Sequence, residues 1–578
     1  MIQTVIQSRM PLSEHPLDTT RRPLPELLAV PQDSSIRHST HSLPIDIRRF
    51  PSTKRLAVEY TSNFSALESF FSGDPSDDAA WETAISIRNQ RSDENPAIAP
   101  VIKGQQHQRG APIPAIEATA LLEDPRCVAV VTGQQAGLFG GPLYTLLKAI
   151  SAIRLARRAQ QLHGIPTVAV FWVDAEDHDL DEIRSCGILD SDNKLTSVSL
   201  PISAPANTPA SSIKLSAEIE KTIDELATTL PHTDFTPGLI SDLRRAYAHG
   251  TRLVTAFAIW LEQLLGELGL IVFDASDPAA KPFVRELFSR EINHAGTTSH
   301  LAQRAGEQLR EAGFHAQVST SPETVALFLQ DGNRRNIRTD GTNLRIGNEQ
   351  VDPRLLLDQL QSDPSCLSPN VLLRPIVQDR LFPTVCYVAG PSELSYLGQL
   401  KDVYEHFSIP MPLIAPRLSV TLVDTAVVKF LNRTGLDIEQ LQPQDESALN
   451  RLLGEQLPSS VEETMLSAKQ TIRDSLIAIG TAVVKVDSTL AGAAESSHGR
   501  MERELRNLQN KVLQAAKRRD QTLRRQFHRA QSQLFPLGSP QERAVGLVHF
   551  LNRYGSVLTE RLISDPDLDT AHHWIISI

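Results

Sequence analysis

Nine consecutive residues, Asp174-Ala-Glu-Asp-His-Asp-Leu-Asp-Glu182, carry six carboxylates and one histidine. They follow directly on Thr167-Val-Ala-Val-Phe-Trp-Val173, an apolar and β-branched run without helical spacing that reads as a buried strand. Open α/β sheets bind ligands at the carboxyl ends of such strands. Carboxylates placed there can ligate a divalent cation. They can also hold an ammonium group, Asp174 and Glu176 among them, or deprotonate one, with His178, Asp177 or Glu176 as the base. No basic run stands near enough in sequence to neutralise these charges, so a solvated acidic loop is the plain alternative. The spacing fits no EF-hand, and no HExxH accompanies it.

Two further segments bring polar groups to strand ends. Cys127-Val-Ala-Val-Val-Thr132 reads as a strand and runs into Gly133-Gln-Gln-Ala-Gly-Leu-Phe-Gly-Gly-Pro142. Gln134 and Gln135 offer amide donors and acceptors, and Gly133, Gly140 and Gly141 permit close backbone approach to a ligand. Tyr144 follows at the start of the next helix. The loop is neither a Walker A nor a GxGxxG sequence, and a simple tight turn is the competing reading. The third segment spans Leu373 to Glu393. It contributes Arg374, Gln378 and Asp379, then a strand at 384–388 ending in Gly-Pro, with Ser392, Glu393 and Tyr396 beyond. Arg417 is a candidate anion contact, against a plain salt bridge.

The elements that must position these groups are legible in the pattern. Pro142 suits a first helical turn, and Leu146, Leu147, Ile150, Ile153 and Leu155 give the following helix an apolar face to about Leu162. Arg154, Arg157 and Arg158 gather at its C-terminal end, where cations are favoured. Strand, helix and strand in succession predict a parallel sheet with right-handed crossover.

The chain has 578 residues, 41% apolar and 22% charged, with a net charge of −11. These values describe a globular protein of several domains and argue against general nucleic-acid binding. The start shows no signal sequence, and no apolar run approaches membrane-spanning length, so the expected location is cytoplasmic. Cys127, Cys186, Cys366 and Cys386 form no CxxC pair and read as buried hydrophobes. Residues 1 to about 50 read as an extended arm. The expected organisation is a core in three parts (1–195, 246–290 and 373–440). Insertions at 196–245 and 291–372 interrupt it, the first with a polar helix, the second α+β. A coiled-coil domain with a closing segment follows at 441–578. In that domain, one helical seam runs through Met465, Ala468, Ile472, Leu476, Ile479, Val483, Val486 and Leu490, and a second from Leu505 to Leu534 is interrupted at Arg519. Gly492 to Gly499 is the expected turn between them. The segment 500–529 holds ten Lys or Arg against Glu502, Glu504 and Asp520 and reads as a solvated helical face.

The motifs TGQQAGLFGGPLYTLLKAI (132–150), PTVAVFWVDAEDHDLDEI (166–183), LRPIVQDRLFPTVCYVAGPSELSYLGQL (373–400) and MPLIAPRLSVTLV (411–423) resemble those of the bacillithiol biosynthesis cysteine-adding enzymes, over essentially the full length. Ala389 stands where the family motif has a second glycine, and Arg380 where an aromatic is common. The resemblance implies an α/β fold with a Rossmann-like parallel-sheet core, two inserted connecting subdomains and a C-terminal antiparallel coiled coil that supports a homodimer. It implies a ligase forming an amide between L-cysteine and the amine of glucosaminyl-malate. ATP, with Mg2+ accompanying it, is implied as the activator of the cysteine carboxylate, though no HIGH or KMSKS sequence is present. On this reading His178 or Asp177 takes the amine proton, Glu176 helps to hold the amine, and Arg374 and Arg417 face the malate carboxylates. A non-catalytic dimeric scaffold and a nucleotidyltransferase with another acceptor are the rival classes. No nucleic-acid or membrane partner is expected.

Overall fold

The computed structural model describes residues 42–578, apart from 52, 95, 456, 457, 488, 489 and 566. Of the expected N-terminal arm, residues 1–41 lie outside the described residues. Ser42–Asp46 is a strand, paired antiparallel with the last strand, His572–Ser577, which in turn runs parallel to Ser419–Val423.

The core is a five-stranded parallel sheet of β1 (Val128–Gln134), β2 (Thr167–Val173), β3 (Ile271–Asp274), β4 (Thr384–Ala389) and β5 (Leu413–Pro416). Its spatial order is β5-β4-β1-β2-β3. The chain winds outward from β1 through β2 to β3, then returns to β4 on the other side of β1. That reversal is a topological switch point, and the crevice above the ends of β1 and β4 is where such sheets take ligands. Both faces are covered, so the strands are apolar throughout rather than alternating. Val128, Val130, Phe171 and Val173 pack on the face that carries the helix α1 (Leu143–His163) and the helix Leu253–Leu265. Ala129, Val131, Val170, Trp172 and Phe273 pack on the other.

Helix α1 begins after Pro142 and stops at Gly164, whose left-handed φ of 64° closes it with a bond from its N–H to Gln160 O. The 196–245 stretch holds two amphipathic helices where the sequence suggests one polar helix. Glu218–Thr229 and Thr236–Ala246 seat Ile219, Ile223, Leu226, Leu239 and Leu243 in the same core as α1. Within 291–372 an antiparallel sheet forms in the order Glu349–Val351, Asn343–Ile346, Arg334–Asp340, Thr324–Gln330, Leu367–Pro369. It leans over the switch point.

The C-terminal hairpin pairs Ser459–Val483 with Leu490–Arg519. The reversal falls between these helices, and Gly492 and Gly499 are helical rather than a turn. Each glycine costs about 1 kcal/mol in a helix, and the helix Leu490–Arg519 runs through both. Ile479 and Val486 leave the first expected seam and Leu508 the second; all three are exposed. Gly480 lies nearer the partner helix, where an added Cβ would meet Ala494 in ordinary contact. The expected interruption near Arg519 is a helix break at Asp520, whose carboxylate caps the next helix by accepting from Leu523 N.

Glu291 is fully buried, accepting from Thr298 Oγ1 and from Ala326 N at 2.7 Å. Burial pushes its carboxyl up to about 7 against these two donors. An acid raised in the folded state contributes stability below its unfolded pKa, and that contribution is lost as pH rises to its folded value. Unfolding free energy measured by urea titration should therefore fall between about pH 4.5 and about pH 7, by roughly 3 kcal/mol from this group. Glu291→Gln should flatten that portion of the profile.

Candidate active site

A cleft of about 860 Å³ opens at the switch point. Its floor is built by the ends of β1, β2 and β4, and one wall by the antiparallel sheet of the second insertion. Gly133, at the end of β1, has no room for a side chain. A Cβ there would lie 2.8 Å from the Trp172 carbonyl oxygen of β2.

Lys148, one turn after Tyr144 on α1, reaches back to this floor. Its ammonium donates to Gly133 O at 2.7 Å and to Gln134 Oε1 at 3.1 Å, and it pairs with Glu393. Glu393 also accepts from Gly390 N at 2.7 Å and Tyr387 OH at 2.8 Å. Burial pushes Lys148 below its ordinary value, with Glu393 opposing. For Glu393 burial acts upward, but Lys148 and the two hydrogen-bond donors outweigh it and hold the carboxyl low. The pair therefore ties β1 to the turn after β4 across the switch point. Gln134 Nε2 donates to Tyr144 OH at 3.3 Å, and burial pushes that phenol up to about 12.

The acidic segment divides by environment. Asp179 caps the short helix Leu180–Ile183, Asp181 is exposed beside Arg184, and Glu182 stands at the rim of the cleft. Glu176 is buried against Lys281, with Gln330 Nε2 donating to it at 3.1 Å. Asp177 accepts from Gln135 Nε2, from the His178 backbone N–H at 2.7 Å, and from Arg334 NH1 at 3.4 Å. Arg334 NH1 also donates to His178 Nδ1 at 3.2 Å. A neutral ring accepting this bond carries its proton on Nε2, where it is a donor. Arg334 is itself held by Pro369 O at 2.8 Å and lies over the Phe328 ring, 4.1 Å from its centroid. Burial also raises the Glu182 carboxyl. Asp174 extends the ladder through its backbone N–H to Gln134 O at 3.0 Å. Its carboxyl, like that of Glu182, has no hydrogen-bond partner among the described residues. Burial pushes it up to about 6, with Asp177 and Glu176 adding and Arg374 and Arg334 opposing.

Arg374 faces the same space. It donates to two neutral groups, Gln378 Oε1 at 3.1 Å and Tyr396 OH at 3.3 Å, so its positive charge is left for a ligand. Arg338 and Arg543 also line the cleft and form no ion pair among the described residues. Arg417 lines it too, yet both its terminal nitrogens are taken by Glu542, at 2.9 and 2.6 Å.

The sequence candidates thus separate. Gly133, Gln134, Gln135, Tyr144, Asp174, Glu176, Asp177, His178, Arg374, Glu393, Tyr396 and Arg417 converge on one cleft. Gly140, Gly141 and Gln378 lie outside it. Gly140 packs against Trp260, Gly141 O receives the Leu547 N–H, and Gln378 sits beneath Arg374, bonded to it and to Asp379. Gly140 and Gly141 therefore serve packing, while the start of the same loop lines the cleft. Asp379 does not pair with Arg374 but with Tyr404 OH. Lys148, Lys281 and Arg334 escape the sequence reading. Lys148 left a trace, being a lone cation inside an apolar helical stretch; the other two are separated from the acidic segment by a hundred residues or more. Among the described residues no three His, Cys, Asp or Glu side chains cluster as metal ligands, and no helix is long and apolar enough to cross a membrane.

Comparison with known proteins agrees with this architecture. Residues 43–418 match the family model described as bacillithiol biosynthesis BshC, N-terminal Rossmann-like domain, and residues 420–578 the corresponding C-terminal coiled-coil domain. The chain belongs to the BshC family. A relative from Salinibacter ruber is 33% identical over 93% of this chain and 98% of its own length. Another, from Chlorobaculum tepidum, is 35% identical over 76% of this chain and 81% of its own. Both carry the name "Putative cysteine ligase BshC". The boundary between the two family domains falls at the strand Ser419–Val423, which joins the C-terminal sheet rather than the core.

Glu393→Gln should leave the Lys148 ammonium buried without its counter-charge and cost roughly 3 kcal/mol in urea unfolding. The double change Lys148→Met with Glu393→Gln should recover a large part of that loss.

Proposed function

We propose that this protein is a ligase that joins the carboxylate of L-cysteine to the amine of glucosaminyl-malate, the bacillithiol-forming step. The observation that carries this reading is one unpartnered carboxyl, Asp174, lying between a positively charged arginine and a set of neutralised carboxylates. An amino sugar that also bears malate needs both signs of charge in one cleft. Asp174 receives the ammonium and takes its proton, a role suited to a carboxyl lifted toward neutrality. His178, with Nε2–H as donor, and Asp177 orient the acceptor. Arg374, with Arg338 and Arg543, faces the malate carboxylates or phosphate oxygens, since guanidinium matches both. Arg417 acts through Glu542 as a support for the wall instead.

ATP, when bound, supplies the leaving group on the cysteine carboxylate. Arg338 and Arg543 are the residues of this chain free to hold its phosphates, and Mg2+ would arrive with them. The homodimer implied by the coiled coil finds support in Leu466, Ile477, Met501 and Leu508, large apolar side chains left exposed on the hairpin.

Mass spectrometry of the product formed from cysteine, glucosaminyl-malate and Mg-ATP tests the reaction, and omission of ATP tests the activation. Asp174→Asn should lower kcat by about 100-fold or more while the protein still binds its substrates. His178→Gln should lose less. Equal losses would return the base role to the histidine, and product at the normal rate from Asp174→Asn would refute the assignment.

A further inference from the structure

A second cavity, of about 310 Å³, lies at the opposite, amino end of the core sheet. It is enclosed by the back of α1, the helix Ile113–Leu121, the first residues of β2 and the turn at Leu268. Its walls are mostly apolar, with Leu121, Ile153, Val168 and Leu268 among them, and the Glu117 carboxylate stands exposed at its rim. Arg157 projects into this lining. Its Nε is buried and has no hydrogen-bond partner, and no carboxylate pairs with its guanidinium among the described residues. Its neighbours on the same helix are satisfied. Arg154 donates to the carbonyls of Leu562, Asp565 and Leu568, and Arg158 to Asp78. Burial lowers the Arg157 pKa with no anion to oppose it. Gln160, one turn further, accepts weakly from Thr167 N at 3.5 Å and keeps its amide N–H groups free.

Arg157 is half-buried, with an unsatisfied Nε beside an apolar chamber, and an anion with a hydrocarbon body would satisfy both. We propose that this cavity is a binding site for a small amphipathic carboxylate, with the hydrocarbon body in the chamber and the carboxylate on Arg157 and Gln160. Its volume lies at the lower end of the range for small-molecule sites, which suits a medium-chain monocarboxylate. Arg157 stands nine residues from Lys148 on α1, about 14 Å along the helix at 1.5 Å per residue. The site is therefore separate from the cleft and independent of the reaction proposed there.

Titration calorimetry of the full chain with decanoate tests it, with decanol and decylamine as neutral and cationic controls. Decanoate should bind saturably with one site per chain, and decylamine should not. Arg157→Gln, with its unfolding transition unchanged, should weaken decanoate at least tenfold and leave decanol as it was, because a charge-assisted bond is lost and the chamber is not. Ala118→Leu, filling the chamber from its rim, should abolish both. No saturable decanoate binding at millimolar concentration, equal binding of decylamine, or unaltered decanoate affinity in Arg157→Gln would each overturn the proposal.

Discussion

The contact on which the cleft depends is the ammonium of Lys148. Parallel strands β1 and β4 are neighbours in space but far apart in sequence, and the chain diverges from them in opposite directions at the switch point. Backbone pairing ends there, so something else must close the floor. Lys148 does it by donating to the Gly133 carbonyl and the Gln134 side-chain oxygen at the end of β1 while pairing with Glu393 on the turn after β4. Buried ion pairs gain little net stability, because desolvation offsets attraction. What this one fixes is geometry. It sets Gln134, Glu393 and the start of α1 in one arrangement, and Tyr144 and Tyr396 are placed as a consequence.

With that floor in place, electrostatics sorts a segment that the sequence presents as uniform. Six carboxylates lie within nine residues, yet they meet quite different surroundings. Glu176 is neutralised by Lys281, and Asp177 shares Arg334 with His178. These cations come from the segment after β3 and from the second insertion, so the acidic segment is a meeting point for three parts of the chain. Asp174 keeps an uncommitted carboxyl that burial raises to about 6, and Glu182 at the rim is likewise unpaired and raised by burial. One environment makes paired anions, and the other leaves unpaired carboxyls raised toward neutrality.

The local elements were legible because their signals are local. Val128–Gln134, Thr167–Val173 and the helix Leu143–His163 follow from apolar runs, a proline and a glycine that act within a few residues. The convergence of three strand ends could be inferred from the βαβ order, and most of the named cleft residues meet there. The failures are non-local. Nothing near Arg334 in Asp331-Gly-Asn-Arg-Arg335 marks it as a partner of His178, 156 positions away. Gly140 and Gly141 read as a ligand cradle because glycine permits close approach to anything. In the fold, the close approach is to Trp260 and to the Leu547 segment. Ile479 was misplaced for a related reason: periodicity locates a helical face, but the neighbouring helix decides which of two adjacent registers is buried.

The same logic ties the C-terminal region to the cleft. Glu542 lies past the coiled-coil hairpin, in the second family domain, yet it receives both terminal nitrogens of Arg417, which belongs to the first. It also accepts from Val420 N at 3.2 Å, while Ser419 and Thr421 hold the His573 ring of the last strand from either side at 2.8 Å. Burial lowers His573 to about 4, so the ring is neutral and its two nitrogens can serve as one donor and one acceptor. The cleft wall at Arg417 is therefore backed by a network whose members come from both domains. Because Glu542 neutralises Arg417 from behind, the wall is set when the C-terminal region docks, and the arginines left to meet an anionic ligand are those without such support: Arg338, Arg374 and Arg543.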